Sequence, residues 1–133
     1  GANTGRGIVV DRMLQTSVAG VYAMGDCAEV EGFVLPFVQP LLQQARALAA
    51  TLAGTPTPVN YPAMPVTVKT PVLPLTVAPP APNQPGQWST ELDALCTVAR
   101  YTDEQGNLQG FVLCGQAPGL RSELTKQLPP VRS

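Results

Sequence analysis

Apolar positions along this chain follow two rhythms, and the change between them divides it. From residue 7 to 31 they come in short blocks: Gly7–Asp11 holds three branched residues in a row and reads as a strand, with Met13–Ser17 as its return. Ala19 and Gly20 turn the chain into Val21–Gly25, an apolar run that stops abruptly at Asp26. An uninterrupted apolar run suits a parallel sheet covered on both faces. Leu41, Leu42, Ala45, Leu48, Ala49 and Leu52 then recur at helical spacing, along one face of a helix predicted over Pro40–Ala53. Pro40 takes its first position, Gly54 caps its end and Pro56 bars its continuation.

Beyond the helix the pattern shifts. Residues 55–85 hold ten of the chain's 15 prolines, which suits a linker and edge strands, because proline cannot serve a central ladder. Strands are predicted at Pro65–Thr70, Leu75–Ala78, Gly86–Thr90, Ala94–Thr102 and Leu108–Gly115, with Asp103–Asn107 as a hairpin turn. A last helix is predicted over Ser122–Leu128 with Ser122 as its cap. The pattern gives an α/β segment over residues 1–54, a linker over 55–64, and a small α+β domain with an antiparallel sheet over 65–133.

Composition narrows the chemistry. Only 13% of residues are charged, against about 25% in soluble domains, so part of this surface is expected to be covered in use. Eight basic residues against nine acidic ones leave no footprint for nucleic acid or a polybasic membrane contact. No apolar run reaches the length of a membrane span. There is no histidine, which removes Ser-His and Cys-His nucleophiles and leaves little to build a zinc site. Cys27, Cys96 and Cys114 form neither a CxxC pair nor an even framework; they read as free thiols of a cytoplasmic protein. The first residues lack a signal-peptide pattern, and without an initiator methionine Gly1 reads as an internal start.

Asp26 is the position where chemistry is expected. In open parallel sheets ligands bind beyond the carboxyl ends of the strands. An aspartate there, after a glycine that lets the backbone come close, is placed to accept hydrogen bonds from hydroxyl groups. About a dozen residues later the long helix begins, and a helix start offers unpaired N–H groups and the positive end of a dipole. The ribityl chain and the pyrimidine carbonyl edge of a flavin have that pair of needs. Aspartates after strands also serve simply as turn formers and helix caps.

Thr16 followed by the apolar run and Gly25-Asp26 resembles the second FAD-binding motif of the pyridine-nucleotide flavoprotein reductases. The stretches GRGIVVDRMLQTSVAGVYAMGDCAEVEG, ARALAATLAG and YPAMPVTVKTPVLPLTVAPP together resemble the rubredoxin–NAD(+) reductases, and MPVTVKTP is the most specific part. The likeness covers essentially the whole chain. It implies that residues 1–54 are the last strands and helix of a Rossmann-like FAD domain, and that the C-terminal domain packs over the flavin.

The resemblance also implies FAD as cofactor, NADH as co-substrate bound by regions outside this chain, and rubredoxin or a similar small acidic redox protein as acceptor. Asp26 then resembles the carboxylate that binds the ribityl chain, with Gly25 allowing its approach. Val38 and Gln39 take the helix-start positions whose N–H groups face the flavin, and Lys69 resembles the lysine that reaches it from the small domain. A lone strand lysine is otherwise a solvated one. Trp88 reads as a partner contact or a core aromatic, the core being favoured, and Arg100, Arg121, Lys126 and Arg132 are candidates to meet an acidic partner.

No catalytic side chain and no metal ligand is expected on this segment. No G-x-G-x-x-G follows a strand, so the chain depends on the remainder of the reductase and is expected to be inactive alone. A related reductase with another acceptor, such as a nitric-oxide-detoxifying system, and a non-catalytic binding or dimerising module are the other readings.

Overall fold

A computed structural model describes residues 1–70, 72–92, 96–115 and 117–131. The chain divides into two compact units, Gly1–Tyr61 and Pro62–Ser133.

In the first unit, β1 (Ile8–Val10) pairs in parallel with β2 (Ala28–Val30), Ile8 opposite Ala28 and Val10 opposite Val30. The return after β1 forms as expected. The Asp11 carboxylate accepts from the N–H groups of Met13 and Gln15, closing a tight turn that brings Thr16 opposite Val10. Val21–Gly25, predicted as a strand of a parallel sheet, departs from that expectation. It makes one antiparallel bridge, Tyr22 to Gln15, and its backbone–backbone bonds go to Leu14, Thr16 and Val18. The parallel partner of β1 is β2 instead, on the far side of Asp26.

Helix α1 spans Val38–Leu52. It begins two residues earlier than predicted, so Pro40 occupies the third helical position. Its missing N–H is still among the first four, which have no partner in the helix. The buried residues are Pro40, Gln44 and Ala47, whereas Leu41, Leu42, Ala49 and Leu52 are exposed. The face that the periodicity marked for burial is therefore mostly open.

Residues 55–61, proline-rich as they are, fold back on the first unit. Val59 N–H donates to the Arg12 carbonyl at 2.7 Å, and the Arg12 guanidinium returns a 2.9 Å bond to the Val59 carbonyl. Val59 and Tyr61 are buried.

The second unit is a five-stranded antiparallel sheet and one helix. The strands are β3 (Val66–Val68), β4 (Leu75–Ala78), β5 (Gln87–Leu92), β6 (Cys96–Thr102) and β7 (Leu108–Gly115), in spatial order β3-β4-β7-β6-β5. Residues 94 and 95 of the predicted fourth strand lie outside the described residues. Asp103 builds the β6–β7 turn by accepting from the N–H groups of Gln105 and Asn107 and the side-chain amides of Asn107 and Gln109.

Helix α2 spans Pro118–Gln127 and begins before the predicted Ser122. A proline can open a helix because its absent N–H would have no partner there. Ser122 thus sits inside the helix and caps nothing.

Alternation along β7 sets the two sheet faces. Phe111 and Leu113 join Ala78, Val98, Leu108 and Leu124 of α2 in a buried core. The opposite face carries two cross-strand rows: Val66, Val77, Val112 and Ala99, then Val68, Leu75, Cys114 and Thr97. None of these eight is fully buried. Trp88, expected in the core, stands on edge strand β5 and is 50% exposed. It lies on the face away from α2, so the core has no place for it.

Candidate functional site

The site is built where the extended segment of the first unit ends. Gly25–Cys27 form a single 3₁₀ turn, with Gly25 at φ 82°, the left-handed region that favours glycine. The turn presents Asp26 to solvent. Its carboxylate has no hydrogen-bond or ion-pair partner among the described residues, in contrast to Asp11 and Asp103, which are spent on turns. The Thr16 hydroxyl is likewise spent on a local turn with Val18.

The turn packs against the start of α1. A Cβ added at Gly25 would stand 3.5 Å from the Leu41 Cδ1. Phe37 enters the helix in an extended conformation and no side chain caps it. The N–H groups of Val38 and Gln39 therefore find no acceptor among the described residues, and Val38 is 67% exposed. Free donors and the positive end of the helix dipole thus belong to the element on which the turn of Asp26 rests. Acceptor and donors suit a ligand that carries hydroxyl groups and an electron-rich carbonyl edge.

What holds the turn to the helix is Gln44, which is only 2% exposed. Its Oε1 accepts from Gly25 N–H at 2.5 Å, and its Nε2 donates to the Tyr61 hydroxyl at 2.7 Å. Burial pushes the Tyr61 phenol above its ordinary value, with the Gln44 hydrogen bond pulling the other way. Sequence reasoning missed both residues. The signal it had was a glutamine amid leucines and alanines, polar but placed to be enclosed.

Of the predicted site residues, Gly25 and Asp26 lie on the turn that packs on α1, and Val38 and Gln39 open that helix. Lys69 belongs to the second unit, exposed just beyond β3. Among the basic candidates Arg100 pairs with Glu91 at 2.6 Å, Arg121 and Lys126 are exposed on α2, and Arg132 lies outside the described residues. A hollow of about 290 Å³ in the second unit is lined by Gly86, Gln87, Thr102, Asp103 and Glu104, none of them a predicted site residue. Among the described residues no cluster could hold a metal ion, and no helix is long and apolar enough to cross a membrane.

An α/β corner of this kind followed by a small antiparallel α+β domain is a fold found in reductases. Over 96% of its length the chain matches 34% of a ferredoxin reductase from Rhodopseudomonas palustris, with a TM-score of 0.77 and 25% identity. It matches 33% of the NADH:rubredoxin oxidoreductase from Clostridium acetobutylicum with a TM-score of 0.76 and 19% identity.

In sequence, 98% of the chain is 47% identical to 34% of the rubredoxin-NAD(+) reductase of Alcanivorax borkumensis. The corresponding enzyme of Acinetobacter baylyi is 49% identical over 97% of the chain and 33% of its own length. The nitric oxide reductase FlRd-NAD(+) reductase of Aeromonas salmonicida is 43% identical over 93% of the chain and 32% of its own length. The chain thus spans about a third of the length of the curated relatives it matches. Residues 58–128 match the family model of the rubredoxin-binding C-terminal domain, and the chain belongs to that family.

Proposed function

We propose that this chain is the acceptor-facing part of an FAD-dependent reductase that takes electrons from NADH and delivers them to rubredoxin. The observation that carries the reading is the free carboxylate of Asp26 on a turn packed against the uncapped start of α1. The rubredoxin-binding family and the reductase relatives support the rest. When bound, the flavin supplies the chemistry, exchanging a two-electron donor for a one-electron acceptor.

The chain's own residues bind and orient. Asp26 accepts hydrogen bonds from hydroxyl groups of the ribityl chain, and Gly25 keeps the backbone low enough for that approach. The Val38 and Gln39 N–H groups donate to the carbonyl edge of the ring, where preorganised donors favour added negative charge. In this reading residues 1–61 complete a Rossmann-like FAD domain, and the division from the small domain falls within the predicted linker 55–64. The second unit receives the acceptor. Three free thiols are consistent with the cytoplasm.

The test is Asp26→Asn in the full-length reductase, with FAD affinity measured by titration. Losing charge-assisted hydrogen bonds to the cofactor is expected to weaken binding about tenfold or more. Unchanged affinity would remove Asp26 from the site. The similarity to the Aeromonas salmonicida protein supports a second reading, the same reduction directed at a flavorubredoxin. Steady-state rates with the two acceptors side by side separate them.

A further inference from the structure

We propose that Gln44 is the positioning residue of this site, and that it ties the Asp26 turn to the point where the chain leaves the first unit. The proposal rests on the flavin-site reading of Asp26. Three observations carry it.

The side chain is almost fully enclosed, and both ends of its amide are used: Gly25 N–H on one side, the Tyr61 hydroxyl on the other. The contact with Gly25 fixes which end is which, because a backbone N–H can only donate. The oxygen must face Gly25, and the nitrogen is then left to find an acceptor in Tyr61. No buried side-chain nitrogen or oxygen is left unpaired among the described residues, so the bridge is complete.

The position of each partner gives the bridge its meaning. Gly25 immediately precedes the carboxylate, and its left-handed backbone sets the direction in which Asp26 leaves the turn. Tyr61, 1% exposed, is the last residue of the first unit. Gln44 itself lies on the helix whose start offers the Val38 and Gln39 donors. One amide therefore fixes the acceptor turn, the donor helix and the exit segment relative to one another. A polar side chain enclosed in a helix is costly unless fully bonded. Here its two bonds hold the turn in the geometry a ligand needs, so less ordering is left for binding to supply.

The test uses the full-length flavoprotein, read by FAD affinity and by hydrogen exchange at the Gly25–Cys27 amides. Gln44→Leu is expected to weaken FAD about tenfold and to speed exchange at Gly25. Gln44→Glu, whose carboxylate can accept from both Gly25 N–H and Tyr61 O–H, recovers most of that loss. Because Gln44 acts through the Asp26 turn, Gln44→Leu added to Asp26→Asn brings little further weakening. Unchanged exchange at Gly25 in Gln44→Leu, or losses that multiply in the double variant, overturn the positioning role.

If Gln44→Leu does not fold, Tyr61→Phe reads the same bridge. Faster Gly25 exchange without global unfolding supports it, and unchanged exchange overturns it. Should Asp26→Asn alone leave FAD affinity intact, the flavin-site reading falls and Gln44 loses its role in binding. The exchange data then still decide whether it holds the turn.

Discussion

Trp88 and Tyr101 face each other across the β5–β6 pair, ring centroids 5.1 Å apart and planes tilted by 58°. The Tyr101 hydroxyl donates to the Gln84 carbonyl at 2.7 Å, which steadies its ring while Trp88 leans on it from the edge of the sheet. A tilted aromatic pair contributes about 1 kcal/mol beyond the area it covers. Trp88→Ala is expected to lower the stability of the second unit by about that amount in urea unfolding. Since Trp88 is the only tryptophan of the chain, its emission should be that of a half-solvated indole, open to quenching by iodide. Blue-shifted, quencher-resistant emission would contradict its placement.

The core of the second unit gives a larger effect. Phe111 is 0% exposed and meets Leu124 of α2 in one cluster. Removing a buried phenylalanine ring costs about 3–5 kcal/mol, and a domain near this size rarely has more than about that in hand. Phe111→Ala should therefore leave the second unit largely unfolded, seen as rapid proteolysis after residue 62. Leu124→Ala should follow with a smaller loss. A native protease pattern for Phe111→Ala would show that the sheet does not depend on α2.

Tyr61 predicts behaviour at high pH. Its phenol titrates above the ordinary tyrosine value, because burial disfavours the phenolate. The sign follows: the neutral form is the one the folded state prefers. The corresponding stability is complete below the unfolded value, about 10, and is lost as pH rises through the folded one. Stability measured against pH should fall more steeply on the alkaline side in the natural sequence than in Tyr61→Phe. Parallel curves would mean that the hydroxyl is not enclosed.

The cysteines make a chemical prediction. Cys96 stands opposite Gly115 and Cys114 opposite Thr97, so the two thiols occupy neighbouring ladder positions on opposite faces of the sheet. Oxidation should not join them, because a disulfide needs both Cβ atoms on the same side. Cys27 is exposed, so a native alkylation time course followed by mass spectrometry should mark it first. A Cys96–Cys114 bridge in oxidised protein would rule out this register.

How much of this was legible in the sequence varies residue by residue. Asp103–Asn107 announced its turn, because a short run of Asp, Gly and Asn between apolar segments has few other uses. The ranges of β4 and β7 were readable from alternation and those of β3, β5 and β6 approximately. The existence of α1 was readable too, but not its buried side. Periodicity shows which face a helix could bury, whereas burial depends on what lies beside it. In the first unit that neighbour is the Gly25 turn and Tyr61, so Gln44 went inside and Leu42 stayed out.

Val21–Gly25 failed for a related reason. Its composition suits a strand between two others, and among the described residues its backbone bonds turn to its own hairpin instead. Trp88 was misplaced by a preference for burying large aromatics, which cannot see that β5 is an edge. The corner around Asp26 could be proposed from the sequence because a short strand-end motif and a helix start are separately visible there. The glutamine that joins them carried no motif.

The strand order of the second unit has a consequence for how the domain is made. β7 is the only strand that joins the β3–β4 hairpin to the β5–β6 hairpin, and it comes last of the five. A ribosome releases β4 some thirty residues before its partner, about two seconds or more at ordinary synthesis rates. Throughout that interval the edge of β4 that will receive β7 is open, and open strand edges recruit neighbouring chains. A chain cut between residues 103 and 107 would hold two separate hairpins with no strand to join them. The last quarter of the chain therefore decides whether the earlier strands assemble with one another or with a stranger.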